Sequence, residues 1–170
     1  MRARRARASD AEAIYQLIAH YAEQGLLLPR TQEEICRHID HFLVREEKGQ
    51  IFGCLALETY GSDLAEIRSL AVRPEIRGRG VGAQMIEHAL VEARRLDIAR
   101  VFAVTHAPEF FLRHGFSATP RQSLTEKIER DCRFCSKRRS CKLIAVIATV
   151  IPERLALPIL DDSATLVSAE

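Results

Sequence analysis

The chain has 170 residues, of which 47% are hydrophobic and 28% are charged, and its formal net charge is +2. A chain of this length and composition forms one ordinary globular domain with a sizeable core. The small net charge argues against a general attraction to nucleic acid or to membrane surfaces. No stretch has the length of a membrane span or the pattern of a signal peptide. We therefore expect a cytoplasmic protein with no nucleic-acid or membrane partner.

Apolar periodicity and turn signals predict an alternation of strands and helices. In the first half, the predicted elements begin with a strand within residues 2–7 and a helix from Ser9 or Asp10 to Gly25, with Tyr21 on its apolar face. A second helix follows Thr31, with Glu34 at the capping-box position and Ile35 and Ile39 on its apolar face. A hairpin of strands 42–46 and 51–59 then has its turn at Lys48-Gly49. In the second half, they are strand 67–72, helix 81–96, strand 101–105, a short helix 108–114 and a closing strand 143–151. The mixture predicts an α/β (α+β) fold with one domain over residues 1–151. The tail, residues 152–170, has two prolines and no clear period, so we expect it to be poorly ordered.

The run Arg-Gly-Arg-Gly-Val-Gly at residues 77–82 lies between a predicted buried strand and a predicted amphipathic helix. Glycines there expose the first N–H groups of the helix, which carry the positive end of its dipole and can hold a diphosphate. The predicted phosphate-binding residues are Arg77, Gly78, Arg79, Gly80, Val81, Gly82 and Ala83.

Two other kinds of phosphate site fit this run less well. No Gly-Lys-Ser/Thr follows the glycines, which excludes a P-loop. The pattern Gly78-x-Gly80-x-x-Ala83 does match the dinucleotide fingerprint. However, residues 73–76 separate the run from the strand, and Asp97 stands before the second strand instead of ending it. A nicotinamide site is therefore disfavoured.

In the frame Arg77-x-x-Gly80-x-Gly82, the run resembles the acetyl-CoA loop of the GNAT N-acetyltransferase superfamily. The resemblance covers about residues 5–150 and is closest to the short, stand-alone N-acetylglutamate synthases, which lack the amino-acid-kinase domain of longer relatives. The blocks that carry it are residues 22–30, 53–57, 65–72 and 108–116. It implies a GNAT fold, in which a mixed, mostly antiparallel sheet is flanked by helices. It also implies acetyl-CoA as co-substrate and L-glutamate as acceptor, in the first step of arginine biosynthesis, by direct attack in a ternary complex.

Acetyl transfer from a thioester needs a neutral amine and a stabilised oxyanion. Glu66, at the entry of the strand before the glycine run, is the candidate general base; its alternative role is an ion pair with an arginine such as Arg68. Backbone N–H groups of Leu70, Ala71 and Val72 are candidates for the oxyanion, and the resemblance implies that they also bind the pantetheine arm. Many GNAT enzymes have a Tyr as general acid where this chain has Phe111, a departure that the glutamate synthases share. We expect Phe111 in the core or in the wall of the cofactor tunnel.

An acceptor that carries carboxylates needs cations to bind it, and arginine binds them in bidentate fashion. Arg30 is the first candidate because it lies in a short loop before a capped helix, and the resemblance places a substrate-binding arginine in the same loop. The resemblance adds Lys127 and Arg130 as approximate candidates, and Arg68 is a weaker one. Thr105 and His106 end a strand beside the presumed thioester and are further candidates for substrate contact. Glu58 stands where some relatives have Lys, which leaves the second carboxylate contact open.

Three of the five cysteines follow the pattern Cys132-x-x-Cys135-x5-Cys141. This is half of a zinc pattern with three ligands, and nothing in the sequence selects a fourth. Neighbouring basic residues favour the thiolate form. We expect a reduced, basic surface loop and disfavour both zinc and redox sensing. An odd number of unevenly spaced cysteines also argues against a disulfide framework.

Three hypotheses about function stay open. In the first, the chain is an acetyltransferase whose acceptor is L-glutamate. In the second, it is an acetyltransferase whose acceptor is glutamine, another amino acid, a polyamine or a protein N-terminus. In the third, it is a non-catalytic acyl-CoA sensor that uses the cysteine loop as a switch. The candidate cations favour an anionic, small-molecule acceptor over a polyamine. A homodimer also stays open.

Overall fold

The computed structural model describes residues 2–150, with the backbone alone for Arg2. Within these residues, seven strands form a single sheet in the order β1-β2-β3-β4-β5-β7-β6. The strands are β1 (Arg2–Arg5), β2 (Phe42–Glu47), β3 (Gln50–Tyr60), β4 (Leu64–Val72), β5 (Arg100–Thr105), β6 (Ser117–Thr119) and β7 (Ile144–Thr149). The helices are α1 (Ala11–Glu23), α2 (Gln32–Arg37), α3 (Val81–Arg95), α4 (Pro108–Leu112) and α5 (Thr125–Lys127), which continues as a π-helical turn over Ile128–Cys132. The predicted mixed α/β fold is confirmed.

Helices cover both faces of the sheet. On one face, α3 and α4 bury Met85, Ile86 and Phe111 against β4, β5 and β7. On the other face, α1 and α2 bury Ile14, Ile18 and Ile35 against β2 and β3. None of the helices in the described part of the chain is both long and apolar enough to cross a membrane.

Local signals in the sequence account for most element boundaries. Thr31 caps α2 with the predicted capping box, in which the Glu34 N–H donates to Thr31 Oγ1 at 3.1 Å and the Thr31 N–H donates to Glu34 Oε2 at 2.9 Å. Lys48 and Gly49 make the hairpin turn with positive φ angles of 49° and 79°, the backbone that a two-residue hairpin requires. Asp10 is the N-cap residue of α1, but its carboxylate binds Arg4 at 2.6 and 3.0 Å and the Arg7 N–H at 2.7 Å.

Three features differ from the expectations. The second helix ends at Arg37, so Ile39 lies in a separate short turn instead of on that helix. The three-residue strand β6 and the segment from α5 to Cys132 have no counterpart among the predicted elements. The predicted tail, residues 152–170, lies outside the described residues.

Strand β4 is irregular at two points, and both shape the site. It pairs with β3 in antiparallel fashion with a register shift between Cys54 and Ala56, opposite Ser69, which has a φ angle of 51°. This is a β-bulge with one extra residue on β4. The parallel pairing of β4 with β5 spans Leu64–Glu66 and stops there, so the two strands diverge beyond Glu66.

Candidate active site

The loop between β4 and α3 has the backbone expected of an anion site. Gly78 and Gly80 have φ angles of 81° and 76°, a region that residues with a Cβ rarely adopt. Gly80 is the N-cap residue of α3, and the first ladder bond of the helix runs from the Gln84 N–H to the Gly80 carbonyl at 3.0 Å. The amides of residues 81–83 precede that bond and lie at the positive end of a 15-residue helix. Arg77 and Arg79 flank them and are exposed.

Gly82 has a second reason to be glycine, which the sequence pattern did not suggest. A Cβ built on Gly82 would lie 3.1 Å from Phe110 Cζ, closer than most real Cβ contacts. The ring of Phe110, from α4, therefore packs directly against the first turn of α3. The two helix starts are brought together at the end of the gap between β4 and β5.

The end of β4 is fixed by Tyr21, a residue that the sequence indicated only as part of the apolar face of α1. Its hydroxyl donates a hydrogen bond to the Val72 carbonyl, and its ring is 5.8 Å from the guanidinium of Arg77. Burial raises the pKa of Tyr21, which keeps the hydroxyl protonated as a donor. Tyr21 thus ties α1 to both the candidate pantetheine strand and the candidate phosphate loop.

Residues 70–72 follow the bulge and border the gap between β4 and β5. Ala71 is buried against α1, whereas Leu70 and Val72 pack against the core on the opposite face. Because the β5 pairing has already ended at Glu66, the edge of β4 that faces β5 is open along these three residues, while their other edge stays paired with β3. This edge suits an extended ligand that hydrogen-bonds to main-chain groups.

Glu66 lies at the point where the two strands diverge, and it is 3% exposed. Its Oε2 atom is 2.7 Å from the Tyr60 hydroxyl, 2.9 Å from Lys127 Nζ and 2.8 Å from Arg68 Nε. The predicted pairing with Arg68 is therefore present, and Lys127 adds a second cation. All of these contacts with described residues fall on Oε2, so Oε1 is the oxygen available to a water or an amine.

The same three donors also bind Asp131. Its Oδ2 atom is 2.7 Å from Tyr60 Oη, 2.7 Å from Lys127 Nζ and 2.5 Å from Arg68 Nη2. The Tyr60 hydroxyl has one proton, so it donates to one of the two carboxylates at a time. Burial alone would raise the pKa of Asp131, but hydrogen bonds from Lys127 and Tyr60 and the charge of Arg68 hold it well below its usual range.

Glu58 and Glu66 are directly opposed in the β3–β4 pairing, a destabilising arrangement for like charges. Arg68 relieves it because its Nη1 atom is 2.8 Å from Glu58 Oε2 while its Nε atom contacts Glu66. Arg130 Nη2 is 2.7 Å from Glu58 Oε1, and its guanidinium lies over the Tyr60 ring at 3.5 Å. The pKa of Glu58, which burial would raise, is lowered by Arg68 and Arg130.

Arg30 is the cation with the weakest partner in this cleft. Its side chain is 19% exposed and contacts Glu58 at 3.9 Å, and its guanidinium is 5.8 Å from the centre of the Phe42 ring. Together, three carboxylates face four cations: Glu58, Glu66 and Asp131 against Arg30, Arg68, Lys127 and Arg130. One positive charge is left in excess. We call this set of residues, with Tyr60, the cleft network.

The remaining candidates lie nearer to the diverging end of β5. Thr105 Oγ1 accepts a hydrogen bond from the Ala107 N–H at 3.0 Å and so closes the turn into α4. His106 is exposed. Phe111 is buried in the core beside α3, and its ring is 5.3 Å from that of Phe116 in an edge-to-face arrangement. The structure brings Thr105 and His106 to the β5 edge and leaves contact with a substrate as a prediction.

Cys132, Cys135 and Cys141 are all free thiols. Among residues 2–150, no group of three or more His, Cys, Asp or Glu side chains is placed to hold a metal ion. A zinc site is therefore not supported.

Comparisons with known proteins agree with this geometry. A family model described as an acetyltransferase (GNAT) domain matches residues 38–118. An uncharacterised N-acetyltransferase of Chlorobaculum tepidum is 40% identical over 147 residues, which cover 86% of this chain and 95% of that protein. The amino-acid acetyltransferase of Mycobacterium tuberculosis is 39% identical, with 76% of each chain covered.

A solved structure adds information about ligands. The N-acetylglutamate synthase of Neisseria gonorrhoeae, complexed with coenzyme A and N-acetyl-glutamate, is similar with a TM-score of 0.80 and 31% identity. The match covers 88% of this chain and 35% of that one, so this chain corresponds to about a third of the Neisseria enzyme. The chain therefore belongs to the GNAT family of acetyltransferases.

Proposed function

We propose that this protein transfers the acetyl group of acetyl-CoA to the α-amine of L-glutamate, by direct attack in a ternary complex. The observation that carries the proposal is the charge of the cleft network. Every other member has a partner within 3.0 Å, whereas Arg30 contacts Glu58 at 3.9 Å and supplies the excess positive charge. Such a cleft attracts an acceptor that brings a carboxylate.

Acetyl-CoA supplies the thioester, and the chain has residues to hold each of its parts. The amides of Val81, Gly82 and Ala83, with Arg77 and Arg79, suit its diphosphate. The main chain of residues 70–72 suits the pantetheine arm, and its N–H groups are donors for the oxyanion that forms on attack. No residue here needs to act as thiolate acid, because a CoA thiol is a good leaving group near neutral pH.

The acceptor would bind between the α1–α2 loop and the segment that begins at α5. A carboxylate on Arg30 would place the amine toward β4, where Glu66 lies. Glu66 Oε1 would take the ammonium proton directly or through a water, while Arg68 and Lys127 hold Oε2 in place. The overall similarity of this chain to a synthase solved with N-acetyl-glutamate supports glutamate as the first acceptor to test, and glutamate would place the reaction in arginine biosynthesis.

Glutamine, or another amino acid with an uncharged side chain, is the second candidate, and Glu58 is the observation that favours it. A glutamate acceptor has two carboxylates, but the cleft network has one excess cation, and Glu58 opposes a second anion near Arg30. Glutamine has nearly the same shape as glutamate and lacks the second charge. The two acceptors therefore separate the effect of charge from that of shape.

The test is thiol release from acetyl-CoA with L-glutamate, L-glutamine, other amino acids, a polyamine and a peptide N-terminus as acceptors. We expect the highest kcat/KM with L-glutamate and none with the polyamine. A higher value with L-glutamine would select the second candidate. Thiol release with the polyamine alone would refute an anionic acceptor. The absence of thiol release with every one of these acceptors would favour an acyl-CoA sensor.

Arg30→Ala tests the carboxylate contact. Loss of a charge-assisted hydrogen bond costs about 1.5–3 kcal/mol, so KM for the amino acid should rise roughly 10- to 100-fold. KM for acetyl-CoA should not change. Arg37→Ala is the matched control, since Arg37 is an exposed arginine of α2 paired with Glu33. An equal rise in KM for an acceptor without a carboxylate would contradict this role of Arg30.

A further inference from the structure

Two of the free thiols lie at the ends of one tight turn. The Cys135 N–H donates to the Cys132 carbonyl at 3.2 Å, the bond that closes a four-residue β-turn. The Cα atoms at the ends of such a turn are less than about 7 Å apart, which is the range that a disulfide spans. The separation of the two Cα atoms is therefore compatible with a disulfide.

The other cysteines are placed differently. Cys54 is buried, and burial raises its pKa to about 12, so it has little thiolate. Cys36 is exposed on α2 and distant in sequence from the turn. Cys141 follows a further short turn, Arg138–Ser140. Cys135 is exposed and Cys132 is half-buried, so an external reagent meets Cys135 first.

The turn lies in a strongly basic stretch of the chain. Residues 132–143 contain five cations and no Asp or Glu: Arg133, Lys137, Arg138, Arg139 and Lys142. All five are exposed, and none forms an ion pair with a carboxylate of residues 2–150. Phe134, between the two cysteines, is 81% exposed. This surface attracts small anions to the thiols and gives them room to approach.

We propose that Cys132 and Cys135 form a dithiol site for thiol–disulfide exchange with a small anionic disulfide, represented by glutathione disulfide. The Cys135 thiolate attacks one sulfur of glutathione disulfide, which forms a mixed disulfide and releases one glutathione thiolate. The Cys132 thiolate then attacks Cys135 Sγ and releases the second glutathione. The two leaving thiolates take up the two protons lost by the cysteines. One glutathione disulfide is reduced, and the cysteine pair is oxidised to one disulfide.

The sequence makes the products easy to map. Trypsin cleaves after Arg130, Arg133, Lys137, Arg139 and Lys142, so Cys132, Cys135 and Cys141 fall in three different peptides, residues 131–133, 134–137 and 140–142. The reduced full-length protein is incubated with glutathione disulfide, quenched with acid, alkylated, digested without reductant and analysed by mass spectrometry. We expect peptides 131–133 and 134–137 to be joined by a disulfide, with two glutathiones released per chain. Cys36→Ser should behave like the wild type, and Cys132→Ser should stop at a glutathione adduct on Cys135.

A second measurement tests the role of the cations. The double variant Arg138→Glu and Arg139→Glu should react roughly 3- to 10-fold more slowly with glutathione disulfide, and equally fast with the uncharged 2-hydroxyethyl disulfide. A stable glutathione adduct on the wild-type turn, a link to Cys141 or a reaction confined to Cys36 would overturn the proposal. If the double variant reacts more slowly with both disulfides to the same extent, the claim that these cations attract the anionic disulfide would be overturned.

Discussion

Lys127 is the buried cation of the cleft network, and its removal has a calculable cost. It is 7% exposed and lies 2.9 Å from Glu66 and 2.7 Å from Asp131. Removing one partner of a buried ion pair costs about 3–5 kcal/mol. Arg68 still contacts both carboxylates, and the Asp131 side chain is 25% exposed, so Lys127→Met should lower the free energy of unfolding by about 2–3 kcal/mol. For a chain of this size, the melting temperature should fall by roughly 4–12 °C.

The stability that Lys127→Met loses should become smaller as the pH falls. The pKa of folded Asp131 lies below its unfolded value, so its contribution to stability is complete above the unfolded pKa of about 4 and is lost as the pH falls through the folded pKa. Without Lys127 the folded pKa rises, so the difference between wild type and Lys127→Met should be largest from pH 5 to 7 and narrow below about pH 4. Urea denaturation at each pH measures it, with Lys142→Met, at an exposed lysine, as the matched control. If Lys127→Met lowers the free energy of unfolding by no more than Lys142→Met does, the stabilising role of Lys127 between Glu66 and Asp131 is refuted.

Three further substitutions test other parts of the site. Glu66→Gln should lower kcat roughly 10²- to 10⁴-fold with little change in the Kd of CoA, and unchanged turnover would remove Glu66 as the base. The larger side chain in Gly82→Val should clash with Phe110, lower the free energy of unfolding by about 1–3 kcal/mol and weaken CoA binding measured by calorimetry. Gly82→Ala should have a smaller effect on both quantities. Equal CoA affinities for the wild type, Gly82→Val and Gly82→Ala would contradict the contact between residue 82 and Phe110. Tyr21→Phe leaves the Val72 carbonyl without its donor and should cost about 1 kcal/mol in urea denaturation, and a cost near zero would mean that water replaces the hydroxyl.

Much of the fold can be predicted from the sequence because its signals are local. The Thr31 capping box, the turn at Lys48–Gly49 and the glycines that begin α3 are each read from a few neighbouring residues, and the structure has all three. Strand β6 has three residues, too few for a period to be visible. The π-helical turn that carries Asp131 is equally short.

The cleft network could be predicted only in part, because its contacts join distant segments. Glu66 and Arg68 share one strand, so their pairing was foreseeable. Tyr60 and Asp131 are 71 residues apart in sequence, and no local pattern marks either of them. The structure places Lys127 between Glu66 and Asp131, and contact of Lys127 with the acceptor stays a prediction. Nor did the sequence indicate that Gly82 is limited by the ring of Phe110, since the contact depends on how α4 packs against α3.

The bulge in β4 explains how one strand can serve both halves of the proposed site. The register puts Glu66 opposite Glu58, Arg68 opposite Ala56 and Ala71 opposite Cys54, so Glu66, Arg68 and Ala71 all point to the α1–α2 face. In a regular strand, a residue three positions after Arg68 would point to the other face. The extra residue at Ser69 shifts the alternation of side-chain directions by one position, so Ala71 points to the same face of the sheet as Glu66 and Arg68. An acceptor held by the network and a thioester held along that segment would meet at the bulge, where the pairing with β5 has already ended.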